Sequence, residues 1–235
     1  MYETTGQMTI AQARQQASTL FLAKVFNWMA AGLGITGLVA YFTASTGLAM
    51  TIIGSPLFFI LVLAELGMVF YLSARIGKIQ ASTASSLFIG YSVLNGLTLS
   101  VIFLAYTSSS IAGTFFITAG MFGAMAVYGL VTKRDLSGWG SFLFMGLIGI
   151  IIASIVNIFL KSSGMAWMIS ILGVFIFTGL TAYDVQKIKR IGEEGIMSQG
   201  MEMIKKGAIM GALTLYLDFI NLFLMLLRFF GGSRD

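Results

Sequence analysis

The sequence contains no cysteine and no histidine, a single proline, and little charge: 10% of its 235 residues are Asp, Glu, Lys or Arg. The first two absences exclude thiol chemistry, disulfides, histidine switches and the usual ligands of zinc, copper and haem. Carboxylate, hydroxyl, amide, ammonium and guanidinium groups remain. The shortage of charge excludes a water-soluble globule, for which about 25% is usual. With 57% hydrophobic residues, the chain reads as an integral membrane protein whose environment is the lipid bilayer. The net charge of +5 does not point to nucleic acid. Most basic residues fall in short loops between apolar segments, where membrane topology, and next anionic lipid, account for them.

The first 20 residues are polar and lack the basic region and cleavage site of a signal peptide. They read as a cytoplasmic tail (1–20) ahead of one membrane domain (21–230). Apolar segments fall at Phe21–Thr43, Pro56–Leu72, Ala84–Thr107, Ala112–Val131, Gly140–Leu160, Met165–Val185 and Gly207–Leu227. Most meet or approach the ~20 residues that cross a bilayer, with Pro56–Leu72 at the short limit. Ser55 followed by Pro56 has the form of an N-cap with proline at the first helical position. The fold expected is all-α with seven transmembrane helices.

With the N-terminus inside and seven crossings, Arg14, Lys24, Arg75, Lys78, Lys133, Arg134, Lys187, Lys189, Arg190, Lys205 and Lys206 are cytoplasmic, and Lys161, Arg228 and Arg234 are outside. This is a positive-inside distribution. A re-entrant seventh segment would bring the last two inside, but Gly207–Leu227 is long enough to span, and seven crossings are preferred. Two overlapping small-xxx-small pairs in the fourth segment, Ala119 with Gly123 and Gly120 with Ala124, are spaced for helix contact. The longest polar stretch, Gln186–Gly207, reads as an exposed cytoplasmic loop with Gly192, Gly195 and Gly200 as breakers.

Three acids interrupt the apolar segments: Glu65, Asp184 and Asp218. An uncompensated carboxylate at the centre of a membrane helix costs at least ~2.5–3.5 kcal/mol. Gly211, Thr214, Asp218 and Asn221 share one face of the seventh helix, and Thr181 and Asp184 share one face of the sixth. Such stripes face protein or water rather than lipid. Two chemistries fit a pair of carboxylates on adjacent helices. One is handling of a hard cation such as calcium, with carbonyls, Asn221 and water completing an oxygen shell around Asp184 and Asp218. The other is proton sensing: two unit charges ~4 Å apart at an effective dielectric of ~20 repel by about 4 kcal/mol, which a shared proton relieves. Arg75 is a candidate counter-charge for Asp184, or a residue that snorkels to the headgroups. Glu65 is either a satisfied contact between helices or, with Thr181, Thr214 and Asn221, part of an ion path. Counted from the segment boundaries, Asp184 lies within a turn of the cytoplasmic end while Asp218 lies ~15 Å into its helix, so tilt or a longer sixth helix must bring them together.

The runs FTGLTAYDVQKIKR, LYLDFINLFLMLLR and MAVYGLVTKRDLSGWGSFLFMGLIGIIIASIVNIFL resemble the transmembrane Bax inhibitor motif family, the Bax inhibitor-1-like proteins, in its bacterial branch. The similarity covers about residues 20 to 230, with a longer polar stretch before the seventh segment than in shorter bacterial relatives. It implies a bundle with the last helix central among the other six. It also implies a pH-sensitive calcium leak, governed by an aspartate pair that would be Asp184 and Asp218 and latched by the arginine matching Arg75. Eukaryotic members suppress cell death and lower internal calcium stores, and some bacterial members bind a membrane protease.

The expectation is therefore a pH-sensitive calcium leak channel of the bacterial inner membrane, not an enzyme, with no permanently bound cofactor and calcium as the transported or sensed species. The alternative is a non-conducting regulator that binds a membrane protease or another membrane protein through Gln186–Gly207 or the N-terminal tail. An intramembrane aspartyl protease is a weaker fit, because Asp218 follows Tyr216 and Leu217 rather than a Gly-x-Gly context. A microbial rhodopsin lacks support, as Lys205 and Lys206 precede the seventh helix.

Overall fold

A computed structural model describes residues 10–194 and 200–232, and among these every regular element is a helix. Seven helical spans are long and apolar enough to cross a bilayer. They are α1 (Ile10–Ser45), α3 (Leu57–Arg75), α4 (Ala81–Leu99) continued by the short α5 (Ile102–Ala105), α6 (Ser108–Val131), α7 (Ser137–Leu160), α8 (Ser163–Glu193) and α9 (Met201–Phe230); the short α2 (Leu48–Ile53) links α1 to α3. The chain is a multi-pass, all-α integral membrane protein. Its polar residues 10–20 continue α1 as helix, while residues 1–9 of the expected tail lie outside the described residues. Ser55 Oγ accepts from Leu57 N at 3.3 Å, so α3 starts one residue after Pro56.

The last helix is central. Two thirds (67%) of its membrane window is buried, against 11–39% for the other six. It packs on α1, α4, α6 and α8, whereas α3 lies against α4, and α7 lies against α8. The cause can be read from α9 itself. Tyr216 and Asp218 are two residues apart, or ~200° around the helix, so polar groups project from opposite faces. Lipid can satisfy neither, and both faces must meet protein. By contrast, α3 and α7 keep apolar surfaces such as Phe59, Phe70, Phe142 and Phe159 outward.

The stretch Gln186–Gly207 is not the loop that its charge and glycines suggest. Helix α8 continues to Glu193 and α9 begins at Met201. Gln186, Ile188, Ile204 and Lys206 are buried, so apolar groups keep helical spacing through the polar sequence. Gly192 is a contact point rather than a breaker: a side chain there would meet Ser18 Cα at 2.9 Å. Gly200, with φ +89°, is where the chain turns, and Gly195 lies outside the described residues.

The small-residue contacts also differ from expectation. A side chain added at Gly120 or Gly123 would meet nothing within 4 Å, so neither glycine is a point of close helix approach, although Ala119 packs on the core. The close approaches occur elsewhere. Gly129 of α6 lies directly on the Ala182 carbonyl of α8, and at Gly96 of α4 a Cβ would come 2.8 Å from the Thr36 carbonyl oxygen of α1. Spacing alone marks where a seam is possible; the neighbouring helix decides which one is used.

Two substitutions separate these cases. Gly129→Val should destabilise the protein by about 1–3 kcal/mol through overpacking, seen as a lower thermal midpoint in detergent. Gly120→Val should leave the midpoint within error.

Candidate functional site

Helices α8 and α9 bring Asp184 and Asp218 together. Asp184 is 8% exposed and Asp218 5%, and the two carboxyl groups lie close enough to act on each other across the α8–α9 contact. A carboxylate only accepts hydrogen bonds, so a direct bond between the two would require a proton on one member of the pair. The depth difference expected from the apolar boundaries is absorbed by helix length. With 31 and 30 residues, α8 and α9 are each ~45 Å long against a hydrocarbon core of ~30 Å, which gives room for tilt and overhang. The second oxygen of Asp218, Oδ2, is buried without a hydrogen-bond partner. It is an acceptor held in a low-dielectric interior with nothing donating to it.

The other residues proposed from sequence stand apart from this pair. Thr181, on the same face of α8, is fully buried and donates to the Phe177 carbonyl at 2.8 Å. Thr214 and Asn221 likewise donate to Met210 and Leu217 carbonyls of α9 at 3.1 and 2.8 Å. Arg75 ends α3, is exposed, and among the described residues forms no ion pair; the structure does not bring it to Asp184.

Glu65 belongs to a separate network on the opposite side of α9. Its carboxylate accepts from Asn95 Nδ2 at 3.1 Å and Thr98 Oγ1 at 2.7 Å. Asn95 Oδ1 accepts from the Tyr216 hydroxyl at 3.0 Å, which is 2.6 Å from Thr36 Oγ1. The network ties α1, α3, α4 and α9 through side chains that all lie below 10% exposure. Thus α9 is held on two faces, by Asp218 toward α8 and by Tyr216 toward α1 and α4.

Just beyond Asp184, α8 is clamped to the loop between α6 and α7. Gln186 Oε1 accepts from Leu136 N at 2.9 Å and its Nε2 donates to the Arg134 carbonyl at 2.8 Å. Arg190 meets Asp135 Oδ1 at 2.6 Å and Ser137 Oγ at 3.1 Å, and Lys189 Nζ donates to the Leu130 carbonyl at 2.8 Å. The backbone N–H of Ser137 and then the Arg190 guanidinium hold the Asp135 carboxyl down to about 2. Sequence reasoning missed this clamp, because Gln186, Lys189 and Arg190 read as loop charges.

A comparison with known proteins bears on this arrangement. The profile of the family described as "Inhibitor of apoptosis-promoting Bax1" matches residues 18–235. The chain is 51% identical over 228 residues to the inner membrane protein YbhL of Escherichia coli K12, covering 96% of this chain and 97% of that one. It is 50% identical over 217 residues to an uncharacterized protein of Borreliella burgdorferi, covering 92% and 93%. It is also 44% identical over 232 residues to one of Deinococcus radiodurans, covering 98% and 96%.

Two measurements test the contacts on either side of the pair. Tyr216→Phe, which removes the donor to Asn95, should cost about 1–3 kcal/mol of stability, as should Gln186→Leu, which orphans Leu136 N and the Arg134 carbonyl. The Asp135 value lies below the ordinary ~3.9, so its hold on the loop is complete above about pH 4 and is lost as pH falls through about 2. Protection of the Ser137 amide against hydrogen exchange should fall over that window, and Asp135→Asn should abolish the dependence.

Proposed function

The chain belongs to the Bax inhibitor family, and from that premise we propose that it is a pH-responsive calcium leak of the inner membrane, closed by α9 and controlled by the Asp184–Asp218 pair. The observation that carries this reading is two buried acids facing each other at the contact of the central helix with α8, a pair that a shared proton would join. While the proton bridges them, α8 and α9 are joined. Removing it would place two negative charges in contact, with a repulsion of about 4 kcal/mol at ~4 Å and an effective dielectric of ~20. The pair is therefore a point where proton activity and helix packing meet.

Calcium is the cargo in this reading. It takes six to eight oxygen ligands. Among the described residues no group of three or more acids gathers, so the pair would offer two carboxylates while backbone carbonyls and water complete the shell. Such a partial set suits an ion in passage, and the unpartnered Oδ2 of Asp218 is an oxygen available to it. The distribution of Lys and Arg supports a cytoplasmic N-terminus, which places the α6–α7 loop and its clamp on the cytoplasmic side.

In calcium-loaded proteoliposomes the wild-type protein should release calcium at a rate that changes with pH, and Asp184→Asn or Asp218→Asn should alter both rate and profile. Variants that match wild type in both would contradict the reading. Paired aspartates also hydrolyse peptides in aspartic proteases; a model transmembrane helix incubated with the protein should remain intact.

A further inference from the structure

One member of the aspartate pair, Asp184, lies in the wall of a cavity. This cavity, between α7 and α8, has a volume of about 410 Å³. Ser141, in the second turn of α7, and Lys187 give it a polar mouth, and both are exposed. Buried Leu180 and exposed Phe144 also line it. It lies at the end of the bundle that carries the α6–α7 loop. In its wall the Tyr183 ring is pressed against Gly140, in the space that a side chain there would take. A larger cavity of about 780 Å³ lies on the α6 side, and neither Asp184 nor Asp218 lines it. Of these two, the smaller has one member of the pair, Asp184, in its wall.

Lys187 stands at the mouth. Its ammonium lies 5.9 Å over the Tyr183 ring, and among the described residues it forms no ion pair. A cation approaching Asp184 by this route meets a positive charge first. We propose that the cavity is an aqueous side portal through which water and hydrated cations reach Asp184, with Lys187 as its electrostatic guard. The choice of cations as the traffic rests on the calcium-leak reading. The route itself rests on the cavity, its polar mouth and the acid in its wall.

The chain's lack of cysteine makes the test direct, because Ser141→Cys supplies the only thiol. Full-length S141C in liposomes is exposed to cationic or anionic methanethiosulfonate reagents, and modification is followed by intact mass. The S141C thiol should react with both, whereas I152C, whose side chain is 57% exposed on the apolar surface of α7, should not. Adding Lys187→Glu should raise the ratio of cationic to anionic reaction rates by about tenfold, as expected for charge inversion near the thiol. Complete modification of S141C should slow calcium release several-fold. An S141C thiol as inert as that of I152C, a rate ratio indifferent to the charge at 187, or full-rate release after complete modification would each overturn the portal. If unmodified protein released no calcium, the leak reading would fail, and the reagent ratio would still decide the portal.

Discussion

A carboxyl group in lipid has no solvent to satisfy it, and this constraint organises the molecule. Asp218 can be carried through the membrane only by a helix that meets protein on that face, and Tyr216, ~200° away, imposes the same demand on the other. One helix with polar groups on opposite sides has to be the middle of a bundle. The lipid-facing positions are left to α3 and α7, whose exposed side chains are large and apolar. The central place of α9 is thus a result of two side chains rather than of its mean apolarity.

The two attachments of α9 differ in kind. Toward α1 and α4, Tyr216 joins a chain of neutral donors and acceptors that ends on Glu65. Toward α8, Asp218 faces another acid, and a bond between two carboxyls depends on a proton that can leave. The first attachment holds α9 under any ordinary condition; the second is conditional. Next to it, Gln186 and Arg190 anchor α8 to the α6–α7 loop, so a change at the pair has a fixed element on one side against which to act.

Much of this is legible in the sequence, for physical reasons. An apolar run of ~20 residues has few fates other than a membrane helix, and an aspartate inside such a run is conspicuous because it is expensive. The registers of Asp184 and Asp218 follow from helical spacing. Their meeting does not, because it depends on how far α8 and α9 extend beyond their apolar stretches. Lys, Glu and Gly obscured those extensions, although Ile188 and Ile204 mark a buried face within them. Other features depend on pairings between distant segments. Glu65 finds Asn95 and Thr98 on α4, and Asn95 finds Tyr216 on α9. The glycine seams are set by neighbours that spacing does not identify, so Gly129 is buried against α8 while Gly120 and Gly123 are not in contact. Arg75, a plausible counter-charge by register, stands exposed at the end of α3.

The central claim is that Asp184 and Asp218 act as one unit across the α8–α9 contact. A double-mutant cycle measures this directly: the stabilities at neutral pH of wild type, Asp184→Ala, Asp218→Ala and the double variant, in the same detergent. Residues sharing a hydrogen bond should show a coupling energy of about 0.5–3 kcal/mol, with the double variant far from the sum of the singles. Additivity within about 0.3–0.5 kcal/mol would mean that the two carboxyls are independent, and the account of a proton-bridged pair would be wrong.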